Sequence, residues 1–304
     1  MQSLERLETT GLVKRWPLAL AFMIRRIFRI YPLSVLFVLA VVIFHIPHFP
    51  GDVYAWPGWR TFLSNLAIVQ NLTKSRALLA PLWTLPVEVQ MYGMLPFLYF
   101  GVRNGRFRSL FFWVISVVAA LVVPTIFLGR LNIILYAPCF LAGIVAYELT
   151  KTCRKRLPAW LWPVVLALAV AAWQPVSRMD FKIEVRLGWI FALAVGFLVP
   201  QFREITAPAL AKPAHWIAKY SYGLYLSHVV VYWFAIDVMR HDSLAARIAA
   251  GVAGIVLLPV AVFHLVEEPF ILLGAKYASR IRDFSVKLGA RTNRGLRSTR
   301  PVVP

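Results

Sequence analysis

Long apolar runs recur along this chain, and short segments between them hold most of its charge. A membrane-crossing helix needs about 20 mainly apolar residues. By that measure the pattern predicts helices near residues 30–46, 82–100, 110–128, 133–149, 158–173, 187–202, 221–239 and 248–273. The stretch 61–80 is apolar only in patches and holds Asn65, Gln70, Asn71, Lys74 and Arg76. It reads as interfacial or re-entrant rather than spanning. The expected fold class is therefore all-α, a polytopic membrane bundle of about eight helices.

Composition strengthens this reading. Hydrophobic residues make up 60% of the 304 positions, and the mean hydropathy is +0.69. A soluble domain sits nearer about 45–50% apolar. Lys and Arg number 33 against 13 Asp and Glu, a net charge of +20. Such an excess can signal nucleic acid, but a nucleic-acid binder wants a basic face on a soluble domain. Here the basic residues fall between apolar runs, which excludes a nucleic-acid partner and points to membrane lipids. Cys139 and Cys153 offer neither a disulfide framework nor metal-ligand spacing, so no metal is expected. The opening stretch to Pro17 is polar and mixed, unlike a cleavable leader.

The loops sort by charge. Arg25, Arg26 and Arg29 precede the first span, and Arg103, Arg106 and Arg108 follow the second. Lys151, Arg154, Lys155 and Arg156 follow the fourth, and Lys212 and Lys219 lie between the sixth and seventh. Lys276, Arg280, Arg282, Lys287, Arg291, Arg294, Arg297 and Arg300 mark the tail. With eight spans all these groups share one side, which the positive-inside rule makes cytoplasmic, both termini included. The opposite loops, 47–59, 174–186 and 240–247, carry fewer basic residues. The expected organisation is a cytoplasmic amphipathic segment over 1–29 and a membrane domain over 30–274. A basic, disordered tail over 275–304 would rest on anionic headgroups.

An ionisable group inside a span costs roughly 2.5–3.5 kcal/mol on insertion scales, so each needs a reason. Arg26 and Arg29 lie three apart on one helix face. They can clamp phosphates as forks of donors or simply anchor the inner boundary. Glu88 and Tyr92 are spaced i,i+4, behind Pro86 at a helix start; the alternative for Glu88 is an interfacial carboxylate in water. Ser221, Tyr225 and His228 follow i,i+4,i+7 along one stripe. His228 can move a proton or pack as a structural imidazole. Glu267, before Glu268-Pro269-Phe270, can pair with Arg26 or Arg29 or mark a helix stop.

Four strings together resemble the acyltransferase family 3 proteins, which include surface-polysaccharide O-acetyltransferases of the O-antigen type. They are Arg26-Ile27-Phe28-Arg29-Ile30-Tyr31-Pro32 and Trp83-Thr84-Leu85-Pro86-Val87-Glu88-Val89-Gln90-Met91-Tyr92, then Ser221-Tyr222-Gly223-Leu224-Tyr225-Leu226-Ser227-His228 and Glu267-Glu268-Pro269-Phe270. Their order and spacing match over nearly the whole chain, with Pro86 where the family has Ser. The family also begins with two further spans, the first carrying an Arg and a His tied to acyl transfer. Neither occurs in these 304 residues, and residues 1–24 look like the family's linker before its Arg pair. The expectation is that Met1 is an internal methionine or that the gene is truncated, and that the chain as written is inactive or severely impaired.

The resemblance implies transfer of an acyl group, commonly acetyl, from cytoplasmic acyl-CoA as co-substrate, with no bound cofactor. The acceptor would be a hydroxyl of a surface polysaccharide or lipid-linked glycan, and the location a bacterial inner membrane. Arg26 and Arg29 would bind the donor, and His228 and Glu88 are the catalytic candidates. Tyr92, Ser221, Tyr225 and Glu267 would line the site. Two other readings stay open: a proton-coupled transporter or flippase, and a non-catalytic remnant.

Overall fold

A computed structural model describes residues 1–9, 15–48, 56–102, 106–123, 133–154 and 157–298. Every element among them is helical, apart from an isolated bridge between Leu157 and Phe202. The helices are α1 (Gln2–Thr9), α2 (Arg15–Phe44), α3 (Trp59–Leu66), α4 (Gln70–Thr73), α5 (Leu85–Val102) and α6 (Arg106–Val122). After them come α7 (Ile133–Thr150), α8 (Leu161–Val176), α9 (Phe181–Leu198), α10 (Pro208–Trp233), α11 (Leu244–Val262) and α12 (Glu268–Ser298). Single π-turns, Phe234–Val238 and Phe263–Glu267, extend α10 and join α11 to α12.

A helix lies at each expected apolar run. Four stretches are long and apolar enough to cross a bilayer: Arg15–Phe44, Ile133–Thr150, Phe181–Gln201 and Leu244–Ser285. Phe107–Val122 and Leu161–Val176 are apolar but shorter. Their outward residues, such as Val122, Leu168 and Ile190, are exposed, and α8 buries no residue at all. A surface of that kind calls for lipid as its solvent. The stretch 61–80 forms short helical pieces rather than a span. Asn65 holds it together by donating to Thr61 O and Arg76 O, while Gln70 donates to Leu82 O.

Two boundaries differ from the sequence reading. The helix carrying Arg25, Arg26 and Arg29 begins at Arg15, so position 29 falls inside one continuous helix. Pro17 sits in its first turn, where a missing N–H costs nothing, and no breaker intervenes before Pro32. The stretch expected to be disordered from 275 is helical to Ser298. Glu267, Gly274, Ala278 and Ser285 form a buried stripe there that a disordered tail would expose. Arg103, Lys155, Arg156 and Arg300, part of the loop 47–59 and the end of the run 110–128 lie outside the described residues, as do the tail side chains from 286.

The chain forms two compact units. The first comprises Met1–Gly58, Tyr92–Tyr99 and Gly223–Pro304, and the second Trp59–Met91 and Phe100–Tyr222. In the first, α2 packs along α12 and α1 along α2. In the second, α7 is central, with α6 and α9 against it. Two indoles, one buried and one half-buried, brace that packing: Trp189 donates Nε1–H to Leu135 O at 2.8 Å, and Trp113 donates to Pro138 O at 3.0 Å. Gly196 lets α9 approach α7, because a Cβ there would lie 2.9 Å from Ala142 O. Gly196→Ala is therefore expected to destabilise the protein by about 1–3 kcal/mol, as overpacking does. A lowered unfolding midpoint in detergent checks it, and an unchanged midpoint would show that α7 and α9 yield freely.

Candidate active site

The candidate site lies within the first unit and starts from α2. Leu18, Phe22, Ile30, Leu33 and Phe37 form its buried stripe at helical spacing. Arg26 falls on the same stripe, four residues after Phe22 and four before Ile30. A guanidinium there needs a partner that can replace water. It lies 4.7 Å from the Tyr92 ring centroid and 5.2 Å from that of Phe22. Those two rings meet edge to face at 6.1 Å. The negative faces of both rings take the charge by a cation–π contact, leaving the N–H fork directed elsewhere. Arg29, one turn on, is exposed.

Opposite charge comes from the last long helical run. Glu267 is 1% exposed, and neither carboxylate oxygen has a hydrogen-bond partner among the described residues. Arg29 is the cation that acts on it electrostatically. The Gly223 amide is near enough to act as well, but its geometry is not that of a hydrogen bond. Local sequence explains this placement. Pro259 and Pro269 remove backbone donors on either side, and the run relaxes into the π-turn Phe263–Glu267. Glu268, next along, is turned out and pairs with His264 at 2.6 Å.

Helix α10 supplies the remaining wall. A Cβ on Gly223 would lie 3.0 Å from Val262 Cγ2, 3.1 Å from Glu267 Oε1 and 3.2 Å from Pro259 O. Glycine is thus what lets α10 lie against the carboxylate. Ser227, one turn on, is fully buried, and its hydroxyl has no partner among the described residues. Glu267 and Ser227 are thus two buried polar side chains without hydrogen-bond partners among the described residues. Buried polar groups are rarely left unpaired without a reason.

The structure thus groups Arg26, Arg29, Tyr92 and Glu267 in one unit. It places His228 and Ser221 elsewhere, on the exposed side of α10, whose buried side carries Gly223, Leu226 and Ser227. Ser221 donates to Ala218 O at 3.0 Å. His228 Nδ1 meets Tyr225 O at 2.7 Å, so the neutral ring carries its proton on Nδ1 and its free lone pair on Nε2. His228 also lines a shallow apolar cavity of about 320 Å³ with Tyr232 and Arg247. Tyr225 is half-buried. Glu88 lies in the first turn of α5, half-buried, and belongs to the second unit.

Sequence reasoning overlooked Phe22 and gave no role of their own to Gly223 and Ser227, which it met only as members of the string from Ser221 to His228. Phe22 was legible as the residue one turn before Arg26. Ser227 and Gly223 share a face at i,i+4, a pairing hidden by the more conspicuous stripe of Ser221, Tyr225 and His228.

Compared with known protein families, residues 9–264 match the family described as "Acyltransferase domain". No curated protein and no solved structure matches the chain.

Proposed function

Since the chain belongs to acyltransferase family 3, we propose that it moves an acyl group, commonly acetyl, from cytoplasmic acyl-CoA to a glycan hydroxyl in the inner membrane of a bacterium. The acceptor is a surface polysaccharide or a lipid-linked glycan. The observation that carries this reading is the arginine pair on α2. Arg26 is held by aromatic faces, which leaves its donor fork free, and Arg29 stands open three residues on. Guanidinium forks match phosphate oxygens better than any other side chain does. Charge asymmetry of the loops supports a cytoplasmic position for the pair, where acyl-CoA is found.

The reaction needs little beyond positioning and one proton carrier. The acceptor hydroxyl attacks the thioester carbonyl, a C–O bond forms and the C–S bond breaks. The hydroxyl proton passes to an imidazole, and the departing thiolate takes a proton back. His228, with Nε2 free to accept, has the required tautomer, but it stands on the exposed side of α10 and outside the arginine group, so that role is left unassigned. Glu267 holds Arg29 by charge and so positions the donor phosphates.

The test is transfer of radiolabel from acetyl-CoA to glycan oligosaccharide in proteoliposomes. Covalent label on the glycan is the expected result when the protein is expressed together with the coding sequence upstream of Met1, and little or no label from the 304 residues alone. Movement of unmodified glycan across the bilayer without label would replace this reading with transport. Arg26→Ala removes charge-assisted hydrogen bonds worth about 1.5–3 kcal/mol each, so kcat/KM should fall about ten- to a hundredfold, mostly through donor KM. Tyr92→Phe keeps the ring face and should stay near wild type, whereas Tyr92→Leu should raise donor KM.

A further inference from the structure

The second unit holds a partly open cavity of about 450 Å³, within the size range of small-molecule sites. Its described walls include Trp83, Tyr136, Cys139, Trp173, Phe181 and Glu184. Trp83 precedes α5, Tyr136 and Cys139 come from α7, Trp173 from α8, and Phe181 and Glu184 from the start of α9. We propose that this cavity holds a pyranose ring of the glycan acceptor, stacked on its aromatic walls with ring hydroxyls donating to Glu184. The proposal rests on the glycan-acylation reading above and names the acceptor's binding site.

The chemistry of the walls selects the ligand. A pyranose is amphipathic: one face presents C–H groups and the edge presents hydroxyls. C–H groups carry partial positive charge and meet the negative face of an aromatic ring favourably. Trp83 and Tyr136 form one aromatic wall, their centroids 6.0 Å apart and tilted by 55°. Trp173 forms another, fixed against Phe191 at 5.2 Å. Its ring lies against α9 where Gly188 leaves room, since a Cβ there would touch it at 3.4 Å. Glu184 is half-buried and is the charged group among the described lining residues. An acyl chain would leave a carboxylate facing hydrocarbon, which is costly. A small organic cation wants rings closed tightly around it, and a cavity of this size leaves it loose.

Placement and rigidity agree with this assignment. On the charge reading of the loops, the turn between α8 and α9 falls on the side opposite the arginine-rich one, where a surface glycan would be met. The indole braces from Trp113 and Trp189 to α7 hold the frame before any ligand arrives. A preformed site of this kind loses less entropy on binding.

Cys139 provides a readout independent of activity, because it lines the cavity. In a Cys153→Ser background it is the one remaining thiol. Its conversion to a mixed disulfide by a small methanethiosulfonate, with methanesulfinate leaving, should slow several-fold with a methyl hexopyranoside, 6-deoxyhexopyranoside or N-acetylhexosaminide present at millimolar concentration. Tetramethylammonium and decanol should not slow it, and Trp173→Ala should abolish the sugar effect. In the acylation assay Trp173→Ala should raise acceptor KM about tenfold with donor KM unchanged, and Trp173→Phe should recover most of the loss. No protection by any of the glycosides, or equal protection by tetramethylammonium or decanol, would overturn the assignment. So would an unchanged acceptor KM in Trp173→Ala; glycan acylation would then stand without this cavity. Sugar protection in a protein that acylates no glycan would instead remove the catalytic reading and leave the sugar site.

Discussion

Arg29→Ala is expected to abolish activity and to lower stability by up to about 1 kcal/mol, the scale of an interaction made by a solvent-exposed cation. The effect is modest because Arg29 itself is exposed and acts on Glu267 through charge rather than through a close ion pair. Glu267 is 1% exposed, and no described group donates a hydrogen bond to either oxygen. Removing the guanidinium therefore strands a carboxylate in an apolar setting. The double variant Arg29→Ala with Glu267→Gln should regain most of the stability, since a neutral amide costs less to bury than an unpaired charge. It should not regain activity, because the donor fork is still missing. Unfolding midpoints and donor KM, measured on the two single variants and the pair, separate these effects. Additive losses in stability would show that Arg29 and Glu267 do not interact.

Gly274→Ala should cost about 1–3 kcal/mol, at the upper end of that overpacking range. A Cβ on Gly274 would lie 2.6 Å from Phe28 Cβ and 3.1 Å from Phe28 Cγ. The first contact is with an atom fixed to the backbone of α2, so no rotamer change relieves it. The helices must part, and Phe28 lies between Arg26 and Arg29 in the sequence. Small residues allow such close approach between membrane helices, and Gly274 and Ala278 share the buried stripe of α12. Phe28→Ala should not rescue the variant, because alanine retains the offending Cβ. A lowered unfolding midpoint in detergent, with reduced acyl transfer, is expected. Full stability in Gly274→Ala would mean that α2 and α12 do not pack closely at Phe28.

The helices were legible because lipid imposes a length and an apolar composition that few soluble segments share. The helix carrying Arg26 was read from residue 30 because its first half is mixed in polarity. Its continuity depends on packing against α12, which no local pattern reveals. The same packing makes a helix of the stretch beyond 275, where charge alone suggested disorder. Arg26, Arg29 and Glu267 were legible as charges out of place, and charge side pointed to their pairing. His228 was singled out as an intramembrane imidazole, but which face of α10 is buried depends on Gly223 meeting Pro259 and Glu267. That contact joins residues far apart in sequence. The aromatic cavity was hidden for a similar reason: Trp83, Tyr136, Trp173 and Glu184 come from separate segments, each unexceptional by itself.

The direct measurement is binding of radiolabelled coenzyme A to sealed vesicles of opposite orientation, carrying either the unaltered protein or Arg26→Ala. Saturable binding to inside-out vesicles alone, lost in the variant, is the expected outcome. Binding confined to right-side-out vesicles, or equal in the variant, would contradict a cytoplasmic arginine pair that grips the donor phosphates.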